Sequence, residues 1–266
     1  MSTSPSFARR MGAANLFPLL GGLLVLFLLY PFLAFFLRIE GVEPAAFTAP
    51  DLVSAVRYSL TTAPVATAVA TALGVPLAYV LARREFRGKL LVDAFVVLPL
   101  VMPPVVGGAM LLAGFGTVTP VGQLAAAAGV SLTDSYWGIV LAQTFVAAPF
   151  VVITARAGFD GIDRNVERAA RSLGKGPVET FLRISLPLAR GSILAGVVLT
   201  FTRAMGEFGA TMMTAYHPRT MPVQLWVEFV GRGIDATFPL AAILVAVGLA
   251  VVLGVRYFGQ QLAFPA

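Results

Sequence analysis

The chain has 266 residues, of which 58% are hydrophobic and only 12% charged, and its formal net charge is +6. Soluble domains carry about 25% charged residues, so this composition predicts a protein that crosses a membrane several times. Because the sequence contains no cysteine and a single histidine, His217, it excludes disulfides, thiolate metal sites and multi-histidine metal sites.

Uncharged stretches long enough to cross a bilayer, which takes about 20 residues in a helix, recur along the chain. The first is longer than the apolar core of a signal peptide, so we interpret it as a retained transmembrane helix. The uncharged run from Ala94 to Thr133 is too long for one helix, and the Gly/Pro-rich stretch 114–122 divides it. Residues 123–130 form a short external or interfacial helix. We predict one membrane domain, residues 1–266, with spans at about 15–37, 52–82, 91–115, 136–155, 192–215 and 236–255.

The distribution of Lys and Arg predicts the orientation of these six spans. If the N-terminus with Arg9 and Arg10 is cytoplasmic, the basic clusters at 83–89 and 156–190, together with Arg256, lie on the same side. The other basic residues are Arg38, Arg57, Arg203, Arg219 and Arg232. An excess of Lys and Arg in cytoplasmic loops is the usual arrangement in membrane proteins. We therefore predict a multi-pass protein of the cell membrane with both termini cytoplasmic, and we attribute the positive charge to topology rather than to nucleic-acid binding.

The loop at residues 156–190 is the one long polar break in the sequence. Its first half has helical periodicity. One face of that helix holds Val166, Ala169, Ala170 and Leu173, and the other holds Arg164, Glu167, Arg168 and Arg171. Gly174 and Gly176 end the helix, and Pro177 can begin a second one, in which Val178, Phe181 and Leu182 share a face. From these residues alone, the two amphipathic helices are either a surface connector or a docking element.

The spacing in this loop resembles the cytoplasmic "EAA" loop of type I ABC-transporter permeases, E-A-A-x3-G-x9-I-x-L-P. The matching residues are Ala169, Ala170, Gly174, Ile184, Leu186 and Pro187. At the position of the family's glutamate the chain has Arg168, and Glu167 lies one residue earlier. The resemblance implies a coupling helix that sits in a groove of a nucleotide-binding subunit. The implied coupling residues are Glu167, Arg168, Ala169, Ala170, Leu173 and Gly174.

The sequence lacks the G-x-x-x-x-G-K-[ST] motif that cradles the phosphates of ATP. ATP and Mg²⁺ would therefore be used by a separate ATPase subunit. We predict that this chain binds no cofactor of its own and that it is a transport subunit rather than an enzyme.

Polar groups inside two predicted spans are candidates for a passage. In the fifth span Arg203 and Glu207 are four residues apart, so they share a helix face. We interpret them as a structural pair, with a role in the passage as the alternative. Prolines in the third span break its hydrogen bonding, which either shapes a gate or kinks a packed helix. The candidates are Pro103, Pro104, Thr202, Arg203, Glu207 and Thr211.

Two further stretches resemble the molybdate, tungstate and sulfate permeases. They are LPLVMPPVVGG at 98–108 and RAMGEFGA at 203–210, while AYHP at 215–218 followed by Met221-Pro222 is similar to the archaeal-type molybdate/tungstate permeases. The resemblance implies an all-α membrane protein with the type I ABC importer permease fold. It further implies a homodimer in membrane lipid, two ATPase subunits and an extracellular substrate-binding protein.

The implied cargo is molybdate or tungstate. One alternative is a sulfate or thiosulfate permease on the same scaffold. The alternative of a different class is an ATP-independent anion channel or secondary transporter.

Overall fold

The computed structural model describes residues 6–39 and 41–263, and it describes side chains for residues 16–39, 41–251, 253 and 254. Within these ranges every regular element is a helix. The helices are α1 (Ser6–Ile39), α2 (Pro50–Arg83), α3 (Lys89–Val101), α4 (Pro104–Phe115), α5 (Pro120–Ala127), α6 (Tyr136–Asp160), α7 (Arg164–Ser172), α8 (Pro177–Thr180), α9 (Leu186–Leu188), α10 (Arg190–Met205), α11 (Gly209–Thr214), α12 (Met221–Arg232) and α13 (Phe238–Ala263). Arg9, Arg10 and Arg256, on which the orientation partly depends, lie outside the described side chains.

Four helices are long and apolar enough to cross a membrane, counted over the described residues: Leu16–Ile39, Pro50–Arg83, Tyr136–Asp160 and Ile234–Val251. Two bent pairs also qualify, α4 with α5 at 66° and Pro177–Leu188 with α10 at 76°, which raises the number to as many as six. The chain divides into two compact units after Phe47. In the first unit, Leu16–Ile39 would extend about 36 Å, which exceeds the roughly 30 Å of a hydrocarbon core.

The centre of the second unit is made by α6, which packs against both α2 and α10. Small residues allow these helices to approach closely, as is common between membrane helices. Ala63, Ala66 and Ala70 of α2 are fully buried. A Cβ added at Gly196 of α10 would lie 2.0 Å from Thr154 Oγ1 of α6, so only glycine fits there.

The third and fifth predicted spans are each divided into two helices. Helix α3 ends at Val101 and α4 begins at Pro104, because Pro103 and Pro104 have no N–H to continue the helical hydrogen bonds. Helix α10 ends at Met205, and α11 follows at Gly209. Helices α4 and α11 pack together, since a Cβ at Gly209 would lie 3.1 Å from both Pro104 Cβ and Val105 N. The two breaks are therefore neighbours.

Candidate functional site

Helix α7 of the polar loop has well-formed hydrogen bonds at both ends. At its start the Asp163 carboxylate accepts a hydrogen bond from the Asn165 amide at 2.9 Å. At its end Gly174 has φ +85°, the Gly174 amide donates to Arg171 O at 3.0 Å, and the Lys175 amide donates to Ala170 O at 3.2 Å. This pair of bonds is a Schellman motif, which places a left-handed residue just after a helix. The glycine turn predicted between the two loop helices is present.

Replacing Gly174 with alanine is expected to destabilise α7 by about 1 kcal/mol, because a residue with a Cβ is strained at a positive φ. Space is not the cause, since a Cβ at Gly174 would meet nothing within 4 Å. Hydrogen exchange of the α7 amides should become several-fold faster. The control is Gly176→Ala, at φ −67° and equally open, which should leave exchange unchanged or slower. Equal effects of the two variants would contradict the backbone explanation.

The buried face of α7 differs from the face that periodicity indicates. Glu167 and Ala170 are buried, whereas Val166, Ala169 and Leu173 are exposed, Leu173 by 83%. The apolar stripe therefore points largely away from this chain. The placement of Glu167 on the polar outer face was wrong, and the physical reason is a partner distant in sequence.

That partner is Arg83, the last residue of α2. Its Nε lies 3.0 Å from both carboxylate oxygens of Glu167, and the Ser185 hydroxyl donates to Glu167 Oε1 at 2.7 Å. Arg83 Nη2 also donates to the Ile162 carbonyl at 3.3 Å. The side chains of Arg83 and Glu167 are only 8% and 5% exposed. A buried carboxylate needs such pairing and hydrogen bonding, because isolated ions are costly to remove from water.

The second half of the loop lies against an aromatic cluster. Helix α8 is followed by one π-helical turn, Phe181–Ser185, which leads through α9 into α10. The Phe181 ring lies 4.8 Å from that of Tyr79 in α2 and 6.1 Å from that of Phe159 in α6. Val178 and Leu182 stay exposed. The second half of the loop therefore packs against α2 and α6 on one side and exposes apolar side chains on the other.

Two exposed ion pairs lie in the polar segments. Lys175 Nζ lies 2.7 Å from Glu179 Oε1, and Lys89 Nζ lies 2.7 Å from Glu85 Oε1. The hydrogen bond from each lysine lowers the pKa of its carboxyl partner below the ordinary value. When folding lowers the pKa of a carboxyl group, its ion pair stabilises the fold at every pH above the ordinary pKa. That stabilisation is lost as the pH falls through the lowered pKa. The lowered pKa of Glu85 and of Glu179 therefore favours their charged form at neutral pH.

Arg168, the residue at the family's glutamate position, is exposed. Its Nη1 lies 3.4 Å from the Asn165 side-chain oxygen. Together with Arg171, which is also exposed, it borders the outward apolar residues of α7 with positive charge. The surface that results, formed by Val166, Arg168, Ala169, Arg171 and Leu173, is hereafter called the outer face of α7. Its apolar residues lie along one side and its two arginines along the other.

The break between α10 and α11 is organised by Glu207, which is 1% exposed. Its Oε1 accepts a hydrogen bond from the Ala210 amide at 2.7 Å, and so caps α11. Its Oε2 lies 2.5 Å from Arg203 Nη1, as an ion pair that is poorly aligned for a hydrogen bond. One carboxylate therefore joins the end of α10 to the start of α11, a geometry that favours the structural interpretation of this pair.

The other passage candidates have varied surroundings. Thr202 is exposed, and its hydroxyl donates a hydrogen bond to Val198 O of its own helix at 2.8 Å. Thr211 is buried, and its hydroxyl has no hydrogen-bond partner in the described part of the chain. Pro103 is exposed, whereas Pro104 is half-buried against Gly209. The structure thus brings Pro104 near the Glu207 break, while the loop residues form a separate group on α7.

Sequence reasoning missed two residues of the loop site and one buried polar residue elsewhere in the second unit. Arg83 was counted only as part of a basic cluster, and Ser185 was not singled out. Gln143 of α6 is buried, and both polar atoms of its amide lack partners among the described residues. A buried amide within an apolar helix was a visible signal for Gln143, whereas nothing local in the sequence connects Arg83 or Ser185 with Glu167.

Comparison with known proteins places these features in context. Residues 74–263 match the family model described as "Binding-protein-dependent transport system inner membrane component". A probable molybdenum ABC transporter permease protein of Haloferax volcanii is 47% identical over 262 residues, covering 95% of this chain and 96% of that protein. A molybdate/tungstate transport system permease protein of Thermococcus kodakarensis is 39% identical over 252 residues, covering 94% and 97%.

A solved structure has the same fold. The crystal structure of a bacterial alginate ABC transporter in complex with an alginate pentasaccharide-bound periplasmic protein contains a chain with a TM-score of 0.75 to this one. The alignment covers 97% of this chain and 98% of that chain at 15% identity. At that identity the similarity concerns the fold alone.

Proposed function

This chain belongs to the family of binding-protein-dependent transport system inner membrane components, and from that premise we propose that it forms the passage of an ATP-driven importer of molybdate or tungstate. The predicted fold class is confirmed: an all-helical, multi-pass membrane protein with the fold of ABC importer permeases. It is a transport subunit. The ATP-driven step belongs, in our proposal, to a separate ATPase subunit with its own ATP and Mg²⁺.

The observation that carries this proposal is the outer face of α7. Leu173 and Val166 are exposed although the helix is anchored at both ends and through Glu167. An exposed apolar patch bordered by charge is typical of a protein–protein contact. We infer that the ATPase covers it, with Arg168, Ala169 and Leu173 in the contact, and Gly174 ending the helix. Glu167 and Ala170 support the helix from inside.

The proposed orientation puts both termini and the loop in the cytoplasm, where an ATPase would have access to α7. An extracellular substrate-binding protein would deliver the oxyanion to the opposite side. Two copies of this chain and two ATPase subunits complete the proposed assembly. An oxyanion in hydrocarbon would be very costly, so it needs a wet path lined by protein. The neighbouring breaks at Pro103–Pro104 and Gly206–Phe208 are where we place the gate, with Thr202, Arg203, Glu207 and Thr211 beside it.

Docking is tested by Leu173→Glu. Burying a new carboxylate in the contact should reduce co-purification of the ATPase by about tenfold or more, because an unpaired buried charge costs several kcal/mol. The control is Val118→Glu, since Val118 is 85% exposed but lies between α4 and α5, away from the loop. It should leave the ATPase bound. A Leu173→Glu protein that keeps its ATPase would rule out this surface.

The cargo is tested in vesicles that contain the permease, its ATPase and the binding protein. We expect ATP-dependent uptake of molybdate or tungstate that exceeds uptake of sulfate at equal concentration. Preferred uptake of sulfate would assign the chain to the sulfate alternative. Uptake that continues without ATP would instead point to a channel or secondary transporter.

A further inference from the structure

The ion pair of Arg83 and Glu167 joins four segments of the chain. Arg83 is the last residue of α2, and Glu167 lies in α7. Ile162, whose carbonyl accepts a hydrogen bond from Arg83, is the second residue after the end of α6. Ser185, which donates to the same carboxylate, ends the π-helical turn that leads into α10. The ends of α2 and α6 and the approach to α10 therefore meet at one buried ion pair.

A second hydrogen bond joins the same two helices, this time with its arginine on α7. Arg164, the first residue of α7, donates from Nη2 to the Ala82 carbonyl of α2 at 3.2 Å. Two arginines thus connect α7 to the last two residues of α2, one from each helix. With two links, α7 cannot rotate or shift against α2 without breaking hydrogen bonds to charged groups, which are stronger than neutral ones.

Burial makes the ion pair a stiff connection. An exposed ion pair can exchange its partner for water at little cost. The Arg83 and Glu167 side chains are almost completely removed from solvent, so separating them would leave two poorly solvated charges. The Lys175–Glu179 pair of the same loop is less constrained, since its side chains are 31% and 38% exposed and therefore partly solvated.

We propose that Arg83 and Glu167 are positioning residues that transmit a displacement of α7 to α2 and to the start of α10. Glu167 acts through Arg83 and Ser185 and makes no contact with the ATPase. This inference rests on the proposed docking of an ATPase on the outer face of α7. In this inference the outer face of α7 contacts the ATPase, and the buried face with Glu167 transmits the displacement to α2 and α10.

The test uses the permease–ATPase complex with its binding protein in vesicles, and it measures molybdate taken up per ATP hydrolysed. Glu167→Gln keeps the size of the side chain and removes its charge. We expect the ATPase to stay bound and hydrolysis to continue, while uptake per ATP falls about tenfold, a typical magnitude for coupling between sites. Arg83→Lys keeps the charge without the two-oxygen contact and should give an intermediate ratio. Glu179→Gln, the control in the same loop, should leave the ratio unchanged.

A double variant separates transmission from stability. Arg83→Gln and Glu167→Gln singly each leave one buried charge unpaired and should lower the thermal midpoint, whereas the double variant leaves none and should recover much of it. Uptake per ATP should stay low in the double variant. Recovery of the ratio along with stability, or equal losses of uptake and hydrolysis in the single variants, would overturn the inference. A wild-type complex that needs no ATP for uptake would instead overturn the proposed function.

Discussion

Gly108→Leu is expected to destabilise the second unit strongly, while Gly114→Leu in the same helix leaves its stability unchanged or slightly higher. A Cβ at Gly108 of α4 would lie 2.7 Å from Met213 Cβ and 2.9 Å from Ala210 Cα of α11. The Ala210 carbonyl oxygen would be only 2.8 Å away, and backbone atoms cannot move aside as a flexible side chain can. Overpacking of this kind typically costs 1–3 kcal/mol, and a whole leucine at a backbone contact should cost about 3 kcal/mol or more.

Gly114 is the matched control because a Cβ there would meet nothing within 4 Å. Leucine is favoured over glycine within a helix by roughly 0.8 kcal/mol at either position. The two variants therefore differ only in the clash. Yield of monodisperse protein in detergent and the thermal midpoint are the measurements. A Gly108→Leu protein as stable as the Gly114 variant would show that α4 and α11 are not in contact.

Glu207→Gln is expected to lower the free energy of unfolding by about 2–3 kcal/mol, because it leaves the largely buried Arg203 without its counter-charge. Glutamine still offers an oxygen to the Ala210 amide, so the cap of α11 is kept and the effect isolates the charge. The 28% exposure of the Arg203 side chain places the expected loss below that of a fully buried pair.

The control for Glu207 is Glu228→Gln. Glu228 pairs with Arg232 at the same spacing, but the Arg232 side chain is 71% exposed, so the loss should stay below about 1 kcal/mol. Denaturant or thermal unfolding in detergent gives both values. Equal losses would mean that the pair at the α10–α11 break is no more important than a pair whose arginine lies in solvent.

The local chemistry of glycine and proline predicted much of the backbone. Gly174 was expected to end a helix, and it does so at a positive φ. Pro99, Pro103 and Pro104 were expected to break the hydrogen bonding of the third span. Helix α3 does end before Pro103, whereas Pro99 lies within it. Gly206 gave no comparable signal, because a single glycine is tolerated in a helix. The break there depends on the hydrogen bond by which Glu207 caps α11. A contact of this kind is not visible in the helix propensity of the local sequence.

The buried side of α7 could not be predicted from periodicity. A helical pattern sorts residues by hydrophobicity and puts Glu167 on the solvent side. Its actual environment is set by Arg83, which is 84 residues away in the chain. The motif likewise located the loop without indicating which side of it faces outward. Fold and loop position were accessible from sequence, whereas the role of each charged residue required the packing of α2, α6 and α7.

The Pro103–Pro104 break changes the hydrogen bonding of two backbone oxygens within an apolar stretch. In a continuous helix the amides of residues 103 and 104 would bond the carbonyl oxygens of Pro99 and Leu100, and proline has no amide hydrogen to donate. These two oxygens, in the middle of an apolar stretch, therefore lack their helical donors. Because lipid offers no donor, each would cost several kcal/mol if it faced hydrocarbon. The side of the break that carries these two oxygens must therefore face water or protein rather than lipid.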